Sequence, residues 1–157
     1  MVKTIDSYMS LVSPYTYMGG PRLDAIAGRH GARITYKPVD FGRIFAATGG
    51  LPVTQRPPAR LAYRMMELKR WRDALRLPMH LEPKYFPVPD WPAAGMVVAA
   101  RLGGLDCGDL SNAILRAVWE EERDVSDAET LIAIADAIGL AGRDLYATAT
   151  TPPIREV

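Results

Sequence analysis

Alternation and helical spacing of apolar positions divide the chain into two unequal parts. From about Lys3 to Ser10, Ile5 and Met9 with Leu11 just beyond predict a short strand. Ser13-Pro14 follows at once. Serine is a favoured N-cap and proline is pre-set for the first helical position, so a helix begins here. It extends to Arg29, with an interruption expected at Gly19-Gly20-Pro21, because an interior proline lacks the amide hydrogen and restricts the residue before it. Leu23, Ile26 and Ala27 supply its apolar stripe, and His30-Gly31 closes it. From Arg33 to Val39, Ile34, Tyr36 and Pro38 alternate with Arg33, Thr35 and Lys37, which predicts a second strand. Strand, helix and strand in succession predict a βαβ unit with parallel strands.

Beyond residue 40 the spacing is helical. Phe41 to Ala47 is a short helix ended by Thr48-Gly49-Gly50, and a proline-rich connection runs from Leu51 to Pro58. Arg60 to Arg76 places Leu61, Met65, Leu68, Trp71 and Leu75 on one stripe. Leu77 to Trp91, with four prolines among its residues (Pro78, Pro83, Pro87 and Pro89), predicts an extended loop lying on the helices. Pro92 to Leu102 is small and apolar and reads as a buried helix. Asp106 or Gly108 caps a helix reaching about Glu122, with Leu110, Ile114, Ala117 and Val118 on one face. Ser126-Asp127-Ala128-Glu129 reads as a capping box opening a helix through Ile138. A last helix spans about Ala141 to Ala149, and Thr150 to Val157 trails off through Pro152-Pro153.

Composition narrows the function classes. A chain of 157 residues is long enough for one buried core, and a net charge of +1 supplies no long-range field for nucleic acid. Cys107 is the single cysteine, so no internal disulfide and no C-x-x-C pair can form within this sequence. No stretch approaches the length of an apolar membrane span, and a cytoplasmic location is the expectation. His30 and His80 lack ligand-like neighbours, so no metal site is expected. The Gly-Gly pairs fit turns rather than a phosphate loop. Arg60, Arg64, Lys69, Arg70, Arg72 and Arg76 scatter around their helix, which fits a solvated surface better than a nucleic-acid stripe. Glu120-Glu121-Glu122 reads as an exposed helix end and Cys107 as a structural residue. Ser13 stands out instead, because a hydroxyl at the positive end of a helix is placed to hold an anion.

Ser13-Pro14-Tyr15-Thr16 occupies the place of the C-P-Y-C motif of the thioredoxin superfamily, with both cysteines replaced. Lys37-Pro38-Val39-Asp40, Ala47-Thr48-Gly49-Gly50, Arg56-Pro57-Pro58-Ala59-Arg60-Leu61-Ala62-Tyr63, Glu67-Leu68-Lys69-Arg70-Trp71 and Ala117-Val118-Trp119 extend the likeness. The combination resembles the 2-hydroxychromene-2-carboxylate isomerases and the related kappa-class glutathione transferases. The resemblance implies an α/β, thioredoxin-like fold of the DsbA and kappa glutathione transferase type, with a large all-helical insertion. Residues 1–40 would form the N-terminal βαβ half, 41–150 the helical insertion and 151–157 a tail. The family pattern continues through two further strands and a helix with a cis-proline loop. Nothing between Ala141 and Val157 resembles that segment, so the C-terminal ββα half is expected to be missing.

The resemblance also implies glutathione as cofactor, bound by Ser13, Pro14, Tyr15, Gly50 and Arg60, with Ser13 catalytic. Arg60 stands at the position of a family lysine, and Gly50 where some members carry an asparagine. The implied activity is glutathione-dependent cis-trans isomerisation of a small aromatic substrate by reversible addition of the thiolate to a conjugated enone, in aromatic compound degradation. A homodimer is compatible with this, and no nucleic-acid or membrane partner is expected. The alternative is a non-catalytic or truncated relative that binds a hydrophobic ligand or another protein.

Overall fold

The computed structural model describes residues 2–151 and Ile154. Strands β1 (Thr4–Met9) and β2 (Arg33–Pro38) pair in parallel, with Thr4 opposite Arg33 and Met9 opposite Pro38. Helix α1 (Pro14–Arg29) supplies the crossover that a parallel pair needs. There follow α2 (Phe41–Thr48), a 3-10 turn at Val53–Gln55, α3 (Pro58–Leu75) and α4 (Trp91–Leu102). Helices α5 (Cys107–Trp119), α6 (Ala128–Ala137) and α7 (Gly142–Ala149) complete the order. Among the described residues, no helix is long and apolar enough to cross a membrane.

The core is built on α4 and α5. Met96, Val97, Leu110, Ile114, Val118 and Trp119 have no solvent exposure. Around this centre β2 lies on α4, α1 on α5, and α7 against α4 and α6. One hydrophobic cluster runs from Met9 and Leu11 through these helices to Ile154. The proline-rich loop after α3 joins it as expected of a segment lying on the helices: Met79 is buried, and the Phe86 ring stands 4.9 Å from that of Trp119.

Several elements differ from the local pattern. The interruption expected at Gly19-Gly20-Pro21 is absent, and α1 is one helix with Pro21 inside it. Tertiary packing overrides the local preference here. A Cβ at Gly20 would stand 2.5 Å from the Asn112 side-chain oxygen, so the glycine permits close approach of α5 instead of marking a break. The expected capping box does not form, and the cap lies one residue later, because the Asp127 amide donates to the Asp124 carbonyl instead of to a side chain of the first turn. Asp127 is the cap and accepts the Thr130 amide at 2.8 Å, while Ser126 is drawn into a turn and donates its hydroxyl to Asp124 at 2.6 Å. Helix α5 ends at Trp119, and the three glutamates beyond it are engaged. Glu120 accepts the Tyr17 hydroxyl at 2.7 Å, Glu121 pairs with Arg116 and Arg123, and Glu122 accepts the Lys84 amide at 3.0 Å. On α3, only Leu68 of the predicted stripe is buried; Leu61 and Trp71 are exposed. At the C-terminus Ile154 reaches the core, whereas the predicted tail at 152, 153 and 155–157 lies outside the described residues.

Two measurements test this packing. Leu110→Ala should destabilise the chain by about 2–5 kcal/mol in urea unfolding, and Leu61→Ala by less than about 1 kcal/mol; equal losses would contradict the assignment of the core. Burial, reinforced by the hydrogen-bonded carboxylates of Glu120 and Asp24, raises the phenol pKa of Tyr17 and Tyr36 well above the ordinary 10.0. The folded chain therefore keeps both phenols protonated after the unfolded chain begins to release them. Their contribution is fully present below about pH 10 and is lost as the pH rises further. The urea midpoint should fall above that pH, and the Tyr17→Phe/Tyr36→Phe double variant should show a shallower fall.

Candidate active site

The chain leaves β1 and turns into α1 through Ser10, Leu11 and Val12. Leu11 is fully buried and anchors the turn from below. The Ser10 hydroxyl donates to Asp90 at 2.7 Å and accepts the Val12 amide at 3.3 Å, which ties the turn to the start of α4. Ser13 then takes the extended backbone of an N-cap, with φ −76° and ψ 126°. Its Oγ accepts the Thr16 amide at 3.3 Å and its carbonyl accepts the Tyr17 amide at 3.0 Å. With Oγ used as an acceptor toward the helix, the hydroxyl proton has no acceptor among the described residues and remains available to a ligand. The amides and dipole of this four-turn helix favour negative charge at the same place.

Ser13, Pro14 and Tyr15 line a cavity of about 590 Å³. Its walls are apolar: Phe41 and Phe45 come from α2, and Phe86, Pro87 and Val88 from the loop before α4, where the Phe86–Pro87 peptide is cis. Arg56 and Arg64 are its charged residues, and no aspartate or glutamate is among the described residues that line it. The Arg56 Nε donates to the Leu51 carbonyl at 3.0 Å. The Arg64 guanidinium stands 5.4 Å from the centre of the Phe86 ring, and its Nη2 is buried without a hydrogen-bond partner among the described residues. Burial lowers its pKa, and the neighbouring charge of Arg56 adds to this, opposed by Tyr15. An arginine still keeps its proton, so the cavity holds a partly desolvated cation with no counter-ion among the described residues.

Gly50 and Arg60 are not among the residues lining this cavity. Arg60 is exposed on the first turn of α3. At Gly50 a Cβ would stand 2.5 Å from a Phe45 ring carbon, so the phenylalanine ring fills the space that a larger residue there would need. Sequence reasoning gave Ser10 and Arg56 no role at the site and read Arg64 as part of a solvated surface, whereas Arg64 lines the cavity with Nη2 buried. A signal for Arg64 existed: stepping back from Leu68 at about 100° per residue puts Arg64 about 40° from the buried direction and Arg60 about 80° from it. Cys107 lies elsewhere, on a larger cleft of about 790 Å³ whose lining mixes Asp24, Asp106 and Asp109 with Arg33 and Arg101. Its thiol contacts the Val97 and Leu105 carbonyls, and burial, with Asp106 adding, raises its pKa. Such a thiol is a poor nucleophile. Among the described residues, no group of three or more His, Cys, Asp or Glu side chains is placed to hold a metal ion.

Comparison with known proteins agrees with this architecture. The chain is 28% identical over 145 residues to a 2-hydroxychromene-2-carboxylate isomerase of Sphingobium xenophagum, covering 89% of this chain and 70% of that protein. An isomerase of the same name from Pseudomonas putida is 28% identical over 82 residues, or 52% of this chain and 40% of that one. A solved 2-hydroxychromene-2-carboxylate isomerase superposes with a TM-score of 0.75 at 22% identity, covering 98% of this chain and 74% of its own. A cytosolic disulfide reductase, DsbM from Pseudomonas aeruginosa, solved with GSH, gives a TM-score of 0.70 at 18% identity, covering 98% of this chain and 74% of its own. The profile of the DSBA-like thioredoxin domain matches residues 4–156, so the chain belongs to the DsbA-like thioredoxin domain family.

Proposed function

We propose that this chain binds glutathione with its sulfur at Ser13 and acts as a glutathione-dependent cis-trans isomerase of the 2-hydroxychromene-2-carboxylate type. The observation that carries the reading is the Ser13 hydroxyl, whose proton has no acceptor among the described residues, at the start of α1 in a cavity with two cations and no lining carboxylate. That donor set suits a thiolate at Ser13 with a ligand carboxylate nearby. The named isomerases among the relatives and a structural neighbour solved with GSH support the same reading.

When bound, glutathione supplies a thiolate that adds reversibly to a conjugated enone, leaving a single bond that can rotate. This chain's residues supply the environment. Ser13 donates a hydrogen bond to the sulfur, and the helix start lowers the thiol pKa, so Ser13 stabilises an anion and is not itself acylated. Phe41, Phe45 and Phe86 give the conjugated substrate an apolar surface and exclude water. Disulfide reduction, the activity named for the neighbour from Pseudomonas aeruginosa, fits less well, because thiol–disulfide exchange needs a reactive protein thiol at the site and Cys107 is buried and not among the residues lining the cavity. A non-catalytic module that binds an apolar ligand is the second reading, favoured by the aromatic walls alone.

Calorimetric titration with reduced glutathione should show saturable one-site binding, followed by glutathione-dependent isomerisation of an enone substrate. Ser13→Ala should lower kcat about 10²–10³-fold. Loss of the cap costs the helix only about 1 kcal/mol, so the variant should stay folded. Unchanged turnover in Ser13→Ala would sink the mechanism, and glutathione binding without turnover would favour the second reading.

A further inference from the structure

Arg64 is a charged feature of the cavity that a thiolate at Ser13 leaves unused. It is a cation on α3 with its guanidinium over the Phe86 ring and its Nη2 buried without a partner among the described residues. Leaving a charged donor unsatisfied is costly, and such groups are normally paired. No residue described along the cavity wall supplies a carboxylate to pair with it. Its neighbour Arg56 adds a second positive charge, with Nε committed to the Leu51 carbonyl. The cavity is thus electropositive at one point and apolar around it.

We propose that Arg64 is the specificity-determining residue of this cavity, pairing with the carboxylate of a ligand whose flat, conjugated body packs on the aromatic wall. The inference deepens the reading of the cavity as a substrate site but does not need glutathione. A planar guanidinium matches a carboxylate through two parallel hydrogen bonds. A carboxylate is favoured over a phosphate because a multiply charged, strongly hydrated group would lose more solvation against phenylalanine and proline than one partnerless guanidinium nitrogen returns. The ligand's body follows from the wall. Phe41, Phe45 and Phe86 offer ring faces and edges but no hydrogen-bonding groups, which suits a conjugated hydrocarbon frame better than the amide groups of a peptide.

The test uses the full chain and two probes of nearly equal shape, cinnamate and cinnamamide, titrated with and without saturating glutathione. Cinnamate should bind at least about 10-fold more tightly than the amide. Arg64→Met should erase that preference while the exposed Arg60→Met retains it. Arg64→Lys should keep part of it, since the charge remains and the fork is lost. The acid-to-amide comparison in the unaltered chain needs no variant, so a failure of Arg64→Met to fold does not remove the test. Equal binding of the two probes, binding of neither, or an acid preference that survives in Arg64→Met would overturn the proposal. So would an Arg64→Met variant that loses glutathione but keeps cinnamate, which would assign the guanidinium to the peptide. A chain that prefers cinnamate through Arg64 yet does not bind glutathione would uphold this inference while removing the isomerase reading.

Discussion

The carboxylate of Asp24 holds three elements at once. From the middle of α1 it accepts the Tyr36 hydroxyl of β2 and the Asn112 amide of α5, the latter at 2.6 Å. A hydrogen bond to a charged group is worth about 1.5–3 kcal/mol, so two of them on one side chain fix the rotation of α1 about its axis. Gly20 lets Asn112 come close enough to make the contact, and Tyr36 is buried against the same surface. Once α1 is locked to β2 and α5, the position of its first residue is determined as well. The place of Ser13 therefore depends on bonds made two turns and more away from it, by groups that do not line its cavity.

The other half of the candidate site hangs from the core by aromatic contact. Trp119 is the largest fully buried side chain, and Phe86 packs on it with one side of its ring region while the Arg64 guanidinium approaches the ring as well. The backbone of the same loop is tied down where His80 donates its amide to the Trp119 carbonyl at 2.8 Å. A segment rich in proline, with no regular structure of its own, thus acquires a defined place. It carries one wall of the cavity, Phe86, Pro87 and Val88, on the fully buried Trp119.

How much of this could be read from the residues alone depends on the distance over which each feature is decided. The Ser13 cap, the parallel strand pair and the order of the helices follow from neighbours a few positions apart, and all were legible. The continuity of α1 was not, because glycine and proline break helices by local rules, whereas here Asn112 on a remote helix gives Gly20 its purpose. The stripe on α3 misled for a related reason. Apolar spacing marks a face, but only Leu68 finds the core, and the helix turns a charged residue, Arg64, toward the cavity. The resemblance to a lysine position singled out Arg60, which the fold leaves in solvent. The acidic run after α5 shows the same limit: Glu121 pairs locally, but Tyr17 and Lys84, which engage Glu120 and Glu122, lie far away along the chain.

Helix α2 carries a consequence for the thermodynamics of binding. None of its residues is buried, although Phe41 and Phe45 line the cavity with rings 5.5 Å apart. A helix of two turns has little stability of its own, so α2 holds its shape on Asp40 at one end, Gly49 in the left-handed conformation at the other, and little between. An apolar ligand filling the cavity would cover both rings and complete the packing that α2 lacks. Binding and consolidation of the helix then draw on the same free energy. The calorimetric signature is a heat-capacity decrease larger than the ligand's own surface accounts for, with part of the intrinsic affinity spent on ordering a piece of the protein.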